Sequence, residues 1–285
     1  IQGKLRLRGE RSTNPIAVGD YVLIQKQDEE KTGSITERLE RRNSMVRKSV
    51  NLSKETHVVA ANLDRAFLIA TVVQPATSTG FMDRFLVTAH AYQVPVTIVF
   101  NKVDVCAEGT PERAQLEYLE AVYELAGIPT LRTSATTGEG LDSLTQELAA
   151  SGVNLLSGHS GVGKSTLINA LLPGTDLRTG EVSDAHQKGK HTTTFAEMFP
   201  LSTGGFIIDT PGIKGFGLVH LERDHLHHYF PEIFRKLDGC KFHNCLHRNE
   251  PHCAVKKAVE EGEIAEERYA NYIELYETFE SNSYR

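Results

Sequence analysis

The chain has 285 residues, 40% of them hydrophobic and 24% charged, with a formal net charge of −6. That length admits two or three domains, and the negative balance argues against a protein coated with nucleic acid, although a local patch can still bind it. No apolar run approaches the ~18 residues that span a membrane and no signal-peptide pattern opens the chain, so a cytosolic protein is expected.

The first residue is Ile1 rather than Met, as at an internal start or behind a leader. Residues 1–60 read as short strands. KLRLRG alternates, VGDYVLIQ begins after a Gly-Asp turn, and GSITERLERRNSMVRK adds a strand and a basic stretch. Together they suggest a small β-barrel or sandwich. Residues 1–48 hold 11 Lys and Arg against 7 Asp and Glu, a balance of +4, which leaves −10 for the rest.

From Asp64 the texture changes. RAFLIATVV and VPVTIVF are continuous apolar runs, as strands buried on both faces should be. DRFLVTAHAYQ between them has helical spacing. A helix follows around 111–126, then PTLRTSA, a helix from Leu141 to Ala150, the strand VNLLS, the helix KSTLINALL, and the strand GFIID ending at Asp209. Such alternation implies a mostly parallel α/β sheet with ligands at the strand C-terminal ends. After about Gly217, RDHLHHYFPEIFRKL and AVKKAVEEGEIAEERYANYIELYETFES both read as helix, with a cysteine cluster between them.

GHSGVGKS, Gly158 to Ser165, fits G-x-x-x-x-G-K-[ST] between a strand and a helix. Gly158, Gly161 and Gly163 let backbone wrap phosphates. The successive N–H groups of His159, Ser160, Val162 and their neighbours, up to Thr166 at the helix N-terminus, attract the anion. Lys164 reaches the β- and γ-phosphates, and the Ser165 hydroxyl takes a Mg²⁺ position. Asp209 in DTPG can hold Mg²⁺ directly or through water, and the Gly212 N–H can meet the γ-phosphate. In GKHTTTF, Thr193 is the first choice for a hydroxyl on Mg²⁺, with Thr192 and Thr194 as alternatives.

NKVD at 101–104 matches N-K-x-D at the end of a buried strand. A buried Asp104 carboxylate can accept from guanine N1–H and the exocyclic amine, which adenine does not offer in that place. Asn101 can bridge loops, and the Lys102 stem can lie along the base. About thirty residues on, Ser134-Ala135 stands where GTPases bring a backbone N–H to guanine O6. A conventional GTPase runs phosphate loop, threonine switch and DTPG first. Here they come last. Cutting and rejoining a chain is tolerated when its ends are close and the cut is exposed, so the domain reads as circularly permuted.

With SGVGKSTLINAL, KGKHTTTF, DTPGIKGFG and CKFHNCLHRNEPHCAV in this order, the chain closely resembles the RsgA (YjeQ/YloQ) family of bacterial small-subunit-dependent GTPases, over essentially its whole length. The resemblance implies an α/β fold: an N-terminal OB-fold barrel (1–60), a circularly permuted P-loop GTPase domain (61–217) and a C-terminal helical zinc-binding domain (218–285). It also implies late maturation of the small ribosomal subunit, with hydrolysis stimulated by that subunit. The family's barrel begins with more sequence before its VGD turn, so the first strand or two are expected to be absent.

Ile213 follows DTPG, where Ras-like enzymes carry a water-orienting Gln. Slow intrinsic turnover is therefore expected. His191 is the candidate to position water, alongside Lys164 and Thr193 as catalytic residues; a solvent-facing loop His is the alternative. Gly161 stands where potassium-dependent relatives carry Asn, which argues against a catalytic K⁺. The chain leaving DTPG runs straight into the C-terminal domain, so loss of the γ-phosphate can move that domain.

Cys240, Cys245, His247 and Cys253 give C-x4-C-x-H-x5-C, a poor disulfide framework and a closed tetrahedral set for one structural Zn²⁺. His243 and His252 are substitutes for His247, while His225, His227 and His228 are expected to decorate a helix. Arg38, Arg41, Arg42, Arg47 and Lys48 can meet rRNA phosphates. The expected function is a monomeric GTPase assembly factor on the small subunit. The alternatives are an RNA-binding module that uses guanine nucleotide only as a conformational switch, which Ile213 favours, and an ATP-dependent kinase, against which Asp104 argues.

Overall fold

The computed structural model describes residues 14–26, 33–48, 56–174, 177, 196–210 and 221–282. The KLRLRG stretch, His191, Thr192, Thr193, Thr194, Gly212 and Ile213 lie outside the described residues.

Strand β1 (Val22–Lys26) pairs antiparallel with β2 (Gly33–Arg38), and β3 (Ser44–Lys48) with β4 (Thr56–Ala61). The stretch read as one strand and a basic tail therefore holds two strands. Among the described residues these four form two separate ribbons. The expected VGD turn is present. Asp20 Oδ2 accepts from the Ala17 N–H at 2.8 Å, and the Ala61 N–H donates to Val18 O at 2.9 Å. Two of the arginines expected to face RNA are engaged in ion pairs within the protein. Arg41 donates twice to Asp20, at 2.6 and 2.7 Å, and is nearly buried. Arg42 donates to Asp64 at 2.6 Å and to Leu63 O at 2.9 Å. The Arg41 guanidinium is thus enclosed, whereas the Arg42 side chain stays 59% exposed beside its partner.

The central elements follow in order: β5 (Arg65–Ala70), α1 (Thr79–Ala91), β6 (Val96–Asn101), α2 (Pro111–Ala126), β7 (Thr130–Thr133), α3 (Leu141–Ser151), β8 (Val153–Gly158), α4 (Lys164–Leu171), β9 (Glu197–Pro200) and β10 (Phe206–Asp209). Helix α2 has the predicted bounds because both ends are capped. The Thr110 hydroxyl accepts from the Arg113 N–H with Pro111 at the first turn, and Gly127 closes the other end in the left-handed region. The sheet order is β7-β6-β5-β8-β10-β9, parallel throughout except for β9, which runs antiparallel to β10 at the edge.

Alternation along β5 explains the burial of both faces. Ala66, Leu68 and Ala70 pack with Met82, Phe85 and Leu86 of α1 and with Leu119 of α2. Phe67 and Ile69 pack with Leu144 and Leu148 of α3 and with Leu167 and Ile168 of α4. The chain leaves β5 toward β6 on one side and β8 toward β10 on the other. That reversal puts the crevice outside the C-terminal ends of β5 and β8, where open α/β sheets bind ligands.

Past the sheet, RDHLHHYFPEIFRKL is not one helix. Pro231 interrupts it, leaving a 3₁₀ turn (Arg223–Tyr229) and the short helix α5 (Pro231–Phe234). The last segment also divides, into α6 (Ala254–Glu260) and α7 (Glu266–Asn282). Leu226, Phe230, Ile233, Tyr272 and Tyr276 enclose Val87 of α1. Beside them a fully buried ionic group joins the two parts. Arg268 of α7 pairs with Asp83 of α1, and donates to Glu232 of α5 at 2.7 Å. No helix among the described residues is long and apolar enough to cross a membrane.

Candidate nucleotide site and metal cluster

The phosphate loop and the base-reading segment, separated in sequence by some sixty residues, are bonded to each other. Asn101 Nδ2 donates to Val162 O at 2.9 Å, and Lys102 Nζ donates to Gly161 O at 2.7 Å. Gly163 has φ +86°, and a β-carbon there would lie 2.6 Å from Asn101 Nδ2; Gly161 has φ +88° and backs onto Pro75 Cδ, 3.1 Å from where its own β-carbon would be. The glycines thus serve the approach of neighbouring loops as well as that of a phosphate.

The Asn101 side chain is held from its other end by the Thr133 hydroxyl at 3.1 Å. Ser134 Oγ donates to Asp104 Oδ1 at 2.6 Å, which fixes one carboxylate oxygen. Asp104 itself is exposed rather than buried. It stands on a single 3₁₀ turn (Val103–Val105) beyond the end of β6, so it faces the crevice mouth. The Ser134 N–H is committed to Glu139 O at 2.9 Å, which leaves the N–H of half-buried Ala135 for a base oxygen.

At the opposite end, Lys164 forms an ion pair with Asp209 at the end of β10. Both side chains are largely enclosed. Ser165 is half-buried beside them, while Ser160 and Thr166 are exposed. His159 is half-buried, and burial lowers its pKa. The crevice therefore has a carboxylate and amide end that can meet a base, a lysine and carboxylate end that can meet phosphates and a divalent ion, and loop backbone between.

Sequence reasoning missed the loop from Thr71 to Ser78. Its Gln74 carbonyl accepts from Lys102 Nζ at 2.7 Å, its Pro75 backs Gly161, and the Thr77 hydroxyl accepts from the Thr71 N–H at 3.1 Å. The available signal was a cluster of Pro, Ser, Thr and Gly directly after a central strand.

Cys240, Cys245, His247 and Cys253 also come together, with their ligand atoms all within 4.8 Å of one another. His247 Nδ1 is the nitrogen that faces the sulfurs, 3.4 Å from Cys253 Sγ and 3.6 Å from Cys240 Sγ. A tetrahedral ion with metal–sulfur bonds of ~2.3 Å and metal–nitrogen bonds of ~2.0 Å sets N···S edges of roughly 3.5 Å, so the donor set fits. Burial pushes the Cys245 thiol up to about 12 and the His247 imidazole down to about 4. A cation is what such a pocket needs before its thiols ionise. Outer hydrogen bonds hold the loop in place: Tyr269 OH to His247 O at 2.6 Å and Tyr272 OH to Leu246 O at 2.9 Å. His243 and His252 are not in the cluster. His227 does more than decorate a helix, since its ring stands edge-on to that of His247 at 5.3 Å.

The sheet, its strand order and the two joined loops define a circularly permuted P-loop GTPase. A family model described as RsgA GTPase matches residues 38–219. The small ribosomal subunit biogenesis GTPase RsgA of Bacteroides fragilis is 54% identical over 285 residues, covering 100% of this chain and 91% of that protein. The crystal structure of YjeQ from Thermotoga maritima is 36% identical with a TM-score of 0.74, over 92% of this chain and 84% of that one. That of YloQ, titled a circularly permuted GTPase, is 29% identical with a TM-score of 0.71, over 97% and 86%. The chain belongs to the RsgA GTPase family.

Proposed function

We propose that this chain hydrolyses GTP to GDP and phosphate as a cytoplasmic assembly factor of the small ribosomal subunit, with slow turnover that the subunit raises. The observation that carries the reading is the pair of hydrogen bonds from Asn101 and Lys102 to the phosphate-loop carbonyls. They support reading Asp104 and Lys164 as two ends of one crevice. Asp104, oriented by Ser134, reads guanine; Ala135 offers its N–H to the base oxygen. Lys164 exchanges its partner Asp209 for phosphate oxygens. Ser165, Asp209 and Thr193 would hold Mg²⁺, which supplies charge neutralisation at the β- and γ-phosphates. The four-residue cluster would hold Zn²⁺, the ion suited to three thiolates and an imidazole. The division into a barrel over 1–60, a GTPase domain over 61–217 and a metal-binding domain over 218–285 is part of the same proposal.

Two measurements test it. In Asp104→Asn the side chain keeps its shape and an acceptor for Ser134, so the fold should stand. GTP affinity is expected to fall about 10- to 100-fold, the value of a charged hydrogen bond, and xanthosine triphosphate should now compete. Unchanged guanine preference would remove Asp104 from base recognition. In the second, phosphate release is measured for wild type and His191→Ala with and without purified small subunits. A drop on the order of 100-fold in the stimulated rate is expected if His191 places the water. An unstimulated wild type would favour the RNA-binding switch instead.

A further inference from the structure

The phosphate loop carries a contact on its outer flank that nucleotide binding does not require. The His159 ring lies against the Phe81 ring, with centroids 3.6 Å apart and planes inclined by 35°. Phe81 sits in the first turn of α1, two residues before Asp83. That carboxylate is fully buried and is bound by α7 through Arg268 and through Asn271 Nδ2, the latter at 2.7 Å. Of these two, Asn271 returns beside the ring pair. A cavity of about 330 Å³ is lined by Phe81, Arg84 and His159 on one side and by Asn271, Glu274 and Leu275 on the other. Helix α7 therefore grips α1 at Asp83 and faces the phosphate loop across Phe81.

The two flanks of the loop are held by different parts of the chain. The 161–162 flank hangs on Asn101 and Lys102, which belong to the base-reading side. The 159 flank rests on Phe81, which belongs to the side held by α7. Burial shifts His159 toward its neutral form, so the contact is ring packing rather than a charged interaction.

We infer that Phe81 and His159 are positioning residues through which helix α7 sets the phosphate-binding flank of the loop, so that docking of the C-terminal domain tunes affinity for the nucleotide's phosphates without altering base recognition. The inference rests on the nucleotide reading above. It names which half of that site the metal-binding domain reaches, and by which contact.

The test compares binding of GDP with binding of guanosine, which has the base and no phosphate, to the full chain. In Phe81→Leu, GDP is expected to weaken about three- to tenfold, the range an aromatic contact is worth, while guanosine is unchanged. Phe81→Tyr keeps the ring and should retain wild-type affinity. Asn271→Ala loosens the α7 grip on Asp83. It should weaken GDP alone, and weaken it no further in the Phe81→Leu background. Should Phe81→Leu fail to fold, His159→Gln removes the ring pair from the half-exposed side and should show the same selective loss. Equal losses for GDP and guanosine, an unchanged GDP affinity, or additive effects of Phe81→Leu and Asn271→Ala would overturn the inference. Failure of the wild type to bind GDP would sink the nucleotide reading itself.

Discussion

Removing the metal from the cysteine–histidine cluster is expected to unfold the C-terminal domain while the central sheet stays intact. The apolar cluster of this domain includes Cys245 and Cys253 themselves, together with Leu226, Val255, Ile264 and Tyr272. Helix α6 contributes Val255 and Ala258 to this same cluster. Structural zinc in small domains contributes about 10–16 kcal/mol at neutral pH, comparable to the total stability of about 5–15 kcal/mol typical of a domain. Without a cation, burial pushes the Cys245 and Cys253 thiols up and the His247 imidazole down, so these three groups are neutral and weakly joined. Cys240→Ser is the cleaner variant. Cys253 also accepts the Lys256 N–H at the start of α6, at 3.5 Å, and its loss would confuse a ligand effect with a cap effect. Hydrogen exchange after chelation, with metal loss verified, should show α6 amides near unfolded rates and β5, β6 and β8 still protected. Protection of α6 that survives metal loss would contradict the argument.

The parts of this architecture that were legible in the sequence share one property: each is written in contiguous residues. Strands β5 and β6 announce themselves because both faces are buried, leaving an unbroken apolar run. The phosphate loop, the N-K-x-D segment and the cysteine spacing are motifs whose chemistry fixes their residue types. What stayed hidden is made by backbone atoms or by distant charges. The 71–78 loop meets Lys102 through the carbonyl of Gln74, and any residue supplies a carbonyl. Arg41 looked like a surface cation because its partner Asp20 is 21 residues away. Asp83 and Arg268 lie 185 residues apart, so no local pattern announces the pair. Strand β9 has four residues and ends in Pro200, which only an edge position tolerates. Asp104 was expected to be buried because its strand is; the turn that carries it reaches past the strand end into the crevice mouth.

Replacing Arg268 by Met is expected to destabilise the protein by about 3–5 kcal/mol, the usual result of leaving a buried charge without its partner. Arg268 is 1% exposed, Glu232 is 2% and Asp83 is 0%. The guanidinium is further enclosed by the Phe230 ring at 4.7 Å and the Tyr123 ring at 5.6 Å, so water cannot take its place. Asp83 keeps two donors in the variant, Tyr123 OH at 3.0 Å and Asn271 Nδ2 at 2.7 Å, whereas Glu232 loses its cation. Burial already raises the Asp83 pKa with the arginine present, and removing the cation raises it further. A carboxyl whose folded pKa lies above its unfolded value stabilises the fold when protonated, and that contribution is lost as pH rises through the folded pKa. The deficit of Arg268→Met should therefore be largest at neutral pH and shrink as pH falls toward the ordinary carboxylate range. The triple variant Asp83→Leu, Glu232→Leu, Arg268→Met separates pairing from burial. Apolar replacement of a whole buried ionic group is often neutral, or stabilising by about 1–4 kcal/mol, so the triple should recover what the single loses. Urea unfolding of both proteins at two pH values decides the matter. A single variant within about 0.5 kcal/mol of wild type, as expected only for a surface substitution, would mean that α1 and α7 are held by their apolar contacts alone.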